Sequence, residues 1–147
     1  MQVNGSTTIN APRQKVYDYL TNPDFVSKCA PGLETMEEVE PNKKYKATGS
    51  VGLGNLKVRF SGDVEFLELD PPNRAKLKGH GTAPGSAVDG TAEMKLRDGE
   101  NGTTIMDWSA DVNVLGTIAA LASRMMGSMT QKLSGQFFDC VKAQIEK

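Results

Sequence analysis

The chain has 147 residues, with 17 Lys and Arg against 18 Asp and Glu and a formal net charge of -1. Such a length makes one domain around one core, and the even charge balance supplies no basic field for nucleic acid. Hydrophobic residues at 38% and charged residues at 24% exclude wholesale disorder and an integral membrane protein, and no run reaches the ~20 apolar residues that span a bilayer.

Aromatics are scarce at 6%, whereas there are 7 methionines and 15 glycines. The interior is therefore expected to rely on aliphatic and thioether side chains. Cys29 and Cys140 lie far apart without a CxxC pair, which argues against a disulfide scaffold and a four-ligand zinc site. His80 is the single histidine, so a His-rich metal site is excluded. The segment from Met1 to Thr8 lacks a basic stretch followed by an apolar run. It does not read as a signal peptide, and the cytoplasm is the expected compartment.

In chain order, Gln2 to Asn10 reads as a strand with Val3 and Ile9 on one face. Asn10-Ala11-Pro12 is a helix start, with a capping side chain and a proline in the first turn, followed by Val16, Tyr17 and Leu20 at helical spacing. Asn22-Pro23-Asp24 repeats the start, with an acid at the positive end of the helix dipole; Pro31-Gly32 ends this second short helix. From Leu33 the period becomes two. Tyr45, Ala47, Gly49, Val51 and Leu53 alternate, and Gly54-Asn55 predicts a hairpin turn.

The next strand alternates most clearly. Leu56, Val58, Phe60, Gly62, Val64 and Phe66 take one face, and Lys57, Arg59, Ser61, Asp63 and Glu65 the other, as in an antiparallel sheet with one wet face. The apolar phase then slips to Leu67 and Leu69, predicting a bulge or bend. Pro71-Pro72-Asn73 turns the chain; Ala75 and Leu77, then Ala92, Met94 and Leu96, mark further strands. Asp98-Gly99 and Asn101-Gly102 mark a turn before a last strand with Met106, Trp108, Ala110, Val112 and Val114 on one face. After Gly116 an amphipathic helix of roughly 25 residues follows, with Ile118, Ala122, Met125, Met129 and Leu133 on its apolar side. The expected fold is α+β: a curved antiparallel sheet of about seven strands wrapped around a long C-terminal helix, with two short helices after strand one, in a single domain over 1–147. Empty apolar space inside such a grip costs ~24 cal/mol per Å3, a cost that a bound ligand removes.

This order of elements resembles the helix-grip fold of the START and SRPBCC superfamily. Particular residues narrow the resemblance: Asn22-Pro23-Asp24-Phe25-Val26-Ser27-Lys28-Cys29-Ala30-Pro31-Gly32, Phe60-Ser61-Gly62-Asp63-Val64, Asp70-Pro71-Pro72, Gly79-His80-Gly81, Leu121-Ala122-Ser123-Arg124-Met125-Met126 and Phe137-Phe138. In that order and spacing they resemble the G-subunit family of carbon monoxide dehydrogenase. The chain departs at Leu115-Gly116-Thr117, where the family often has Gly-Gly-Lys, and at Ala122, where it often has glycine. The resemblance implies a non-catalytic accessory protein of a molybdenum hydroxylase such as carbon monoxide dehydrogenase. Its cargo would be a hydrophobic molecule, a quinone or lipid-like compound, with no covalently bound cofactor. Because the chain stops at Lys147, no separate membrane anchor is expected, only weak surface contact at the inner membrane face through Leu115, Ala119 and Ala120.

Weighed singly, the chemistry-bearing residues favour binding over catalysis. His80 has no serine or cysteine partner at motif spacing. Cys29 ends a short helix, where the dipole disfavours a thiolate, and both cysteines read as small structural hydrophobes. Asp63, Glu65, Asp107 and Asp111 read as a solvated face rather than an acid–base or metal set. Met94, Met106, Met125 and Met129 should converge as adaptable core or ligand lining, and Trp108 either anchors the core or stacks on a flat ligand. The predicted ligand lining is Phe60, Phe66, Met94, Met106, Trp108, Leu121, Met125 and Met129. No catalytic and no metal-ligating residues are assigned. Two rival readings need different features: a polyketide cyclase or hydrolase-like enzyme needs His80, Asp107 and Gln136 inside the cavity, and a ligand-free adaptor that recruits a dehydrogenase to the membrane surface needs a solid core.

Overall fold

A computed structural model describes residues 1–41, 43–53 and 56–146, Leu53 in its backbone only. Its elements run β1 (Gln2–Ile9), α1 (Arg13–Leu20), α2 (Pro23–Cys29), β2 (Leu33–Glu40), β3 (Lys44–Leu53), β4 (Leu56–Asp70), β5 (Arg74–Ala83), β6 (Ser86–Asp98), a 3-10 turn (Glu100–Gly102), β7 (Thr104–Gly116) and α3 (Ala119–Ile145). All seven strands form one antiparallel sheet in the order β1-β7-β6-β5-β4-β3-β2. Thus the strands from β2 to β7 neighbour one another in sequence order, and β1 closes the end beside β7.

Sheet register follows the period-two pattern. Val64 pairs with Gly79, Gly79 with Gly90 and Gly90 with Val112, so one inner row crosses four strands. The phase slip near Leu67 is a register shift between Phe66 and Glu68, as expected of an extra residue in one strand. The predicted turn at Gly54-Asn55 lies outside the described residues.

The first helix begins differently from its expected cap. Pro12 occupies the cap position, without a capping side chain. The Asn10 N–H instead donates to Glu146 Oε1 at 2.8 Å, tying the end of β1 to the end of α3. A proline is compatible with a helix start because its missing N–H would have no intrahelical partner. At the second helix Asn22 acts as read: its side chain accepts from the Asp24 N–H at 3.0 Å. Gly32 then turns the chain with φ +78; a Cβ there would meet the Ser50 carbonyl oxygen at 2.0 Å, and the Gly32 carbonyl accepts from the Ser50 N–H. Glycine is required at that close approach.

The solid core occupies one end of the sheet. Ile9, Val16, Tyr17, Cys29, Ala75, Leu96, Met106, Val141 and Ile145 bury together, with Met94, Trp108, Phe137 and Phe138 packed on them. Thr104, fully buried, donates from Oγ1 to the Ala11 carbonyl at 2.7 Å. The 27-residue α3 lies against β1, β7, β3 and both short helices. Its start is fixed at the opposite end, where Thr117 N–H donates to the Gly85 carbonyl and Ile118 N–H to Ser86 Oγ. The helix is therefore held at both ends.

The cysteines correct the sequence reading. Cys29 on α2 and Cys140 on α3 are joined by a disulfide, with Cα atoms 5.4 Å apart across a separation of 111 residues. Their spacing carried no sign of this, because only the docking of α3 on α2 brings them together.

Candidate ligand groove

An apolar groove of about 300 Å3 lies on the inner face of β3 to β7. Its walls are Phe60, Val64, Leu77, Val88 and Val112, its floor is made of Ala47, Gly62, Gly79, Gly81, Gly90, Ala92 and Ala110, and Asp63, His80 and Thr91 also border it. Strand alternation puts these residues on one face, and sheet pairing sets their small side chains beside one another.

Two glycines of the floor are not required by the backbone. A Cβ on Gly79 would come no nearer than 3.6 Å to any atom, and one on Gly81 no nearer than 3.7 Å. Those are ordinary contact distances, so what glycine preserves here is open volume above the sheet. Gly62 differs, since its Cβ would meet the His80 carbonyl oxygen at 2.2 Å.

Of the predicted lining residues, Phe60 borders the groove. Phe66 packs edge-on against Tyr45 with ring centroids 6.1 Å apart. Met106 is buried in the solid core, and Met94 and Trp108 pack against it, Trp108 beside Phe138. Leu121, Met125 and Met129 are half-buried along α3. The four methionines expected to converge belong to two places. The strand methionines meet the part of α3 that carries Phe137, Phe138 and Val141, and Met129 precedes Phe137 by eight residues, or ~12 Å of helix. Periodicity identified the correct faces but not how far α3 slides along the sheet. The small floor residues were overlooked because they carry little hydrophobic signal; their readable trace was the repetition of glycine and alanine at inward positions of adjacent strands.

Of the polar residues named for catalysis, His80 borders the groove, whereas Asp107 and Gln136 do not. His80 points to the outer face and pairs through Nδ1 with Asp89 across the strands. Asp107 is also on the outer face, accepting from Arg97 Nε and Ser6 Oγ at 2.9 Å each. These donors hold its carboxyl below the usual carboxylate range. Gln136 is exposed on α3. A depression of about 530 Å3 on the outer face is lined by Lys44, Asp63, Glu65, Lys78 and Asp89. Its charges alternate across the strands, with Lys44 opposite Glu65 and Glu65 opposite Lys78, the pattern of a solvated face. Among the described residues, no three His, Cys, Asp or Glu side chains are grouped to hold a metal ion. Among them also, no helix is long and apolar enough to cross a membrane.

A seven-stranded antiparallel sheet gripping one long C-terminal helix, with two short helices after β1, is the helix-grip, or START-like, fold. The crystal structure of a conserved protein from Geobacillus kaustophilus is similar over 99% of this chain and 95% of that one, with TM-score 0.91 and 25% identity. The Zhui aromatase/cyclase from Streptomyces sp. R1128 shares the fold with TM-score 0.75 at 16% identity, covering 99% of this chain and 93% of that chain. Comparison with curated proteins finds no match. The family model for the G subunit of carbon monoxide dehydrogenase (CoxG) matches residues 5–146, and the chain belongs to that family.

Proposed function

We propose that this protein carries a hydrophobic small molecule, a quinone or lipid-like compound, in the apolar groove on the inner face of β3 to β7, as a non-catalytic accessory of a molybdenum hydroxylase of the carbon monoxide dehydrogenase kind. The observation that carries the binding reading is the apolar groove whose floor keeps glycine at positions 79 and 81 although a Cβ would fit. The groove is open to solvent and its surface is almost wholly apolar, so a greasy ligand gains by removing that surface from water. The hydroxylase partner is suggested by family membership. Weak contact with a membrane surface at the exposed end, where Leu115 is 52% exposed, suits transfer of such a cargo. The outward positions of His80, Asp107 and Gln136 favour a carrier over a cyclase-like enzyme, and the groove favours it over a solid-core adaptor.

Native mass spectrometry and a melting titration with decylubiquinone and oleate test the carrier. The expected result is a one-to-one complex with either probe. Gly79→Leu should weaken it at least about tenfold, because its Cβ keeps an ordinary contact distance, 3.6 Å from the Asp63 carbonyl oxygen, and the rest of the side chain fills the floor. Failure of the wild-type protein to bind both probes, or equal binding by a folded Gly79→Leu protein, rejects the reading.

A further inference from the structure

We infer that Cys29 and Cys140 form a thiol–disulfide switch that sets how firmly α2 is docked on α3 and so how readily the side wall of the grip opens, a regulation resting on the carrier reading above. Helix α2 lies against both α3 and the edge strand β2. The bond that joins it to α3 spans 111 residues of sequence.

The side chains of α2 itself bury little. It has seven residues, and Cys29, at 5% exposure, is its one buried side chain. Phe25 is 39% exposed and stacks on Tyr19 of α1 with ring centroids 4.5 Å apart. Tyr19 in turn donates to Gln144 Oε1 on α3. A short helix with so few buried contacts sits at the low-stability end of a fold, and a covalent tether dominates its docking.

The two sulfurs differ in access, since Cys29 is buried and Cys140 half-buried. A dithiol is the reductant the switch takes. One of its thiolates attacks the Cys140 sulfur, the protein S–S bond breaks, and Cys29 leaves as a thiolate that takes a proton from water. Gln144 Nε2, 3.7 Å from each sulfur, is placed to donate an N–H to that thiolate. The second thiol of the reductant then displaces Cys140, which is protonated in turn. Two electrons pass to the protein, and the dithiol ends as its own disulfide. Oxidised glutathione reverses the change.

The full chain, equilibrated in dithiothreitol or in oxidised glutathione, provides the test. Alkylation and intact mass should report two labels in the first state and none in the second. Amide hydrogen exchange of residues 23–29 should be about tenfold faster or more in the reduced form, with β1 and β7 unchanged. Decylubiquinone release should accelerate with it, and Cys140→Ser should behave as the reduced form in both buffers. Equal α2 exchange in the two states overturns the switch, as does failure of the thiols to oxidise. Loss of protection in β1 and β7 together with α2 also overturns it, because the bond is then a brace for the whole fold. Altered α2 exchange without decylubiquinone binding in either state supports the switch and rejects the carrier.

Discussion

Tyr45 is 1% exposed, and its hydroxyl has no hydrogen-bond partner among the described residues. Burial, with Glu38 and Asp24 nearby, pushes its ionisation up, so the phenol stays protonated. The ring packs well against Phe66, but the oxygen has lost water without gaining a partner. Such a group costs about 1–3 kcal/mol. Tyr45→Phe is therefore expected to stabilise the protein by about 1 kcal/mol, read from the denaturant midpoint at unchanged slope; a loss of stability would mean that the hydroxyl has a partner in solution. Thr104 is the contrast, because its equally buried hydroxyl donates to the Ala11 carbonyl. The inward position of both follows from strand alternation. Whether a hydroxyl finds a partner there does not, because a partner such as Ala11 is 93 residues away in sequence.

At the scale of elements, α3 divides into two parts that a single apolar stripe conceals. Val141 and Ile145 are fully buried in the core, whereas Met125 and Met129 are half-buried. Ile145→Ala is expected to cost about 2–4 kcal/mol, and Met129→Ala about 1 kcal/mol or less, by equilibrium unfolding. Equal costs would mean that the stripe is packed uniformly. The amphipathic period was sufficient to identify the helix and its face, since side-chain direction follows 3.6 residues per turn. The alternation of β4 and its slip at Leu67 were legible for the same local reason. The placement of the helix ends depended on bonds to distant residues, Ser86 for Ile118 and Asn10 for Glu146.

For the molecule as a whole, the two sheet faces carry different work: the inner face holds core and groove, and the outer face holds charge. Hydrogen bonds from Arg97 and Ser6 lower the Asp107 pKa. Glu93 is lowered too: burial pushes it upward, but Lys95 and Arg74 prevail. A carboxyl lowered in the folded state contributes stability that is present above its unfolded pKa, about 4. That stability is lost as pH falls through the folded value. The melting temperature should thus be insensitive to these groups from pH 7 to about 5 and fall below about 4. Arg97→Gln should return Asp107 toward its ordinary value, seen by carboxyl carbon NMR; an unmoved Asp107 would show that the pair is not formed in solution.

Local rules were enough to read an antiparallel sheet, two short helices, a long final helix and the residues facing inward, because alternation and helical period are set by neighbouring backbone geometry. The motifs in their order were enough to suggest the family. Three features needed the assembled molecule: the sliding of α3 that separates Met94 and Met106 from Met125 and Met129, the glycine and alanine floor of the groove, and the joining of Cys29 to Cys140. Each depends on where elements distant in sequence come to rest against one another. That is decided by packing over the whole sheet, which no local period records.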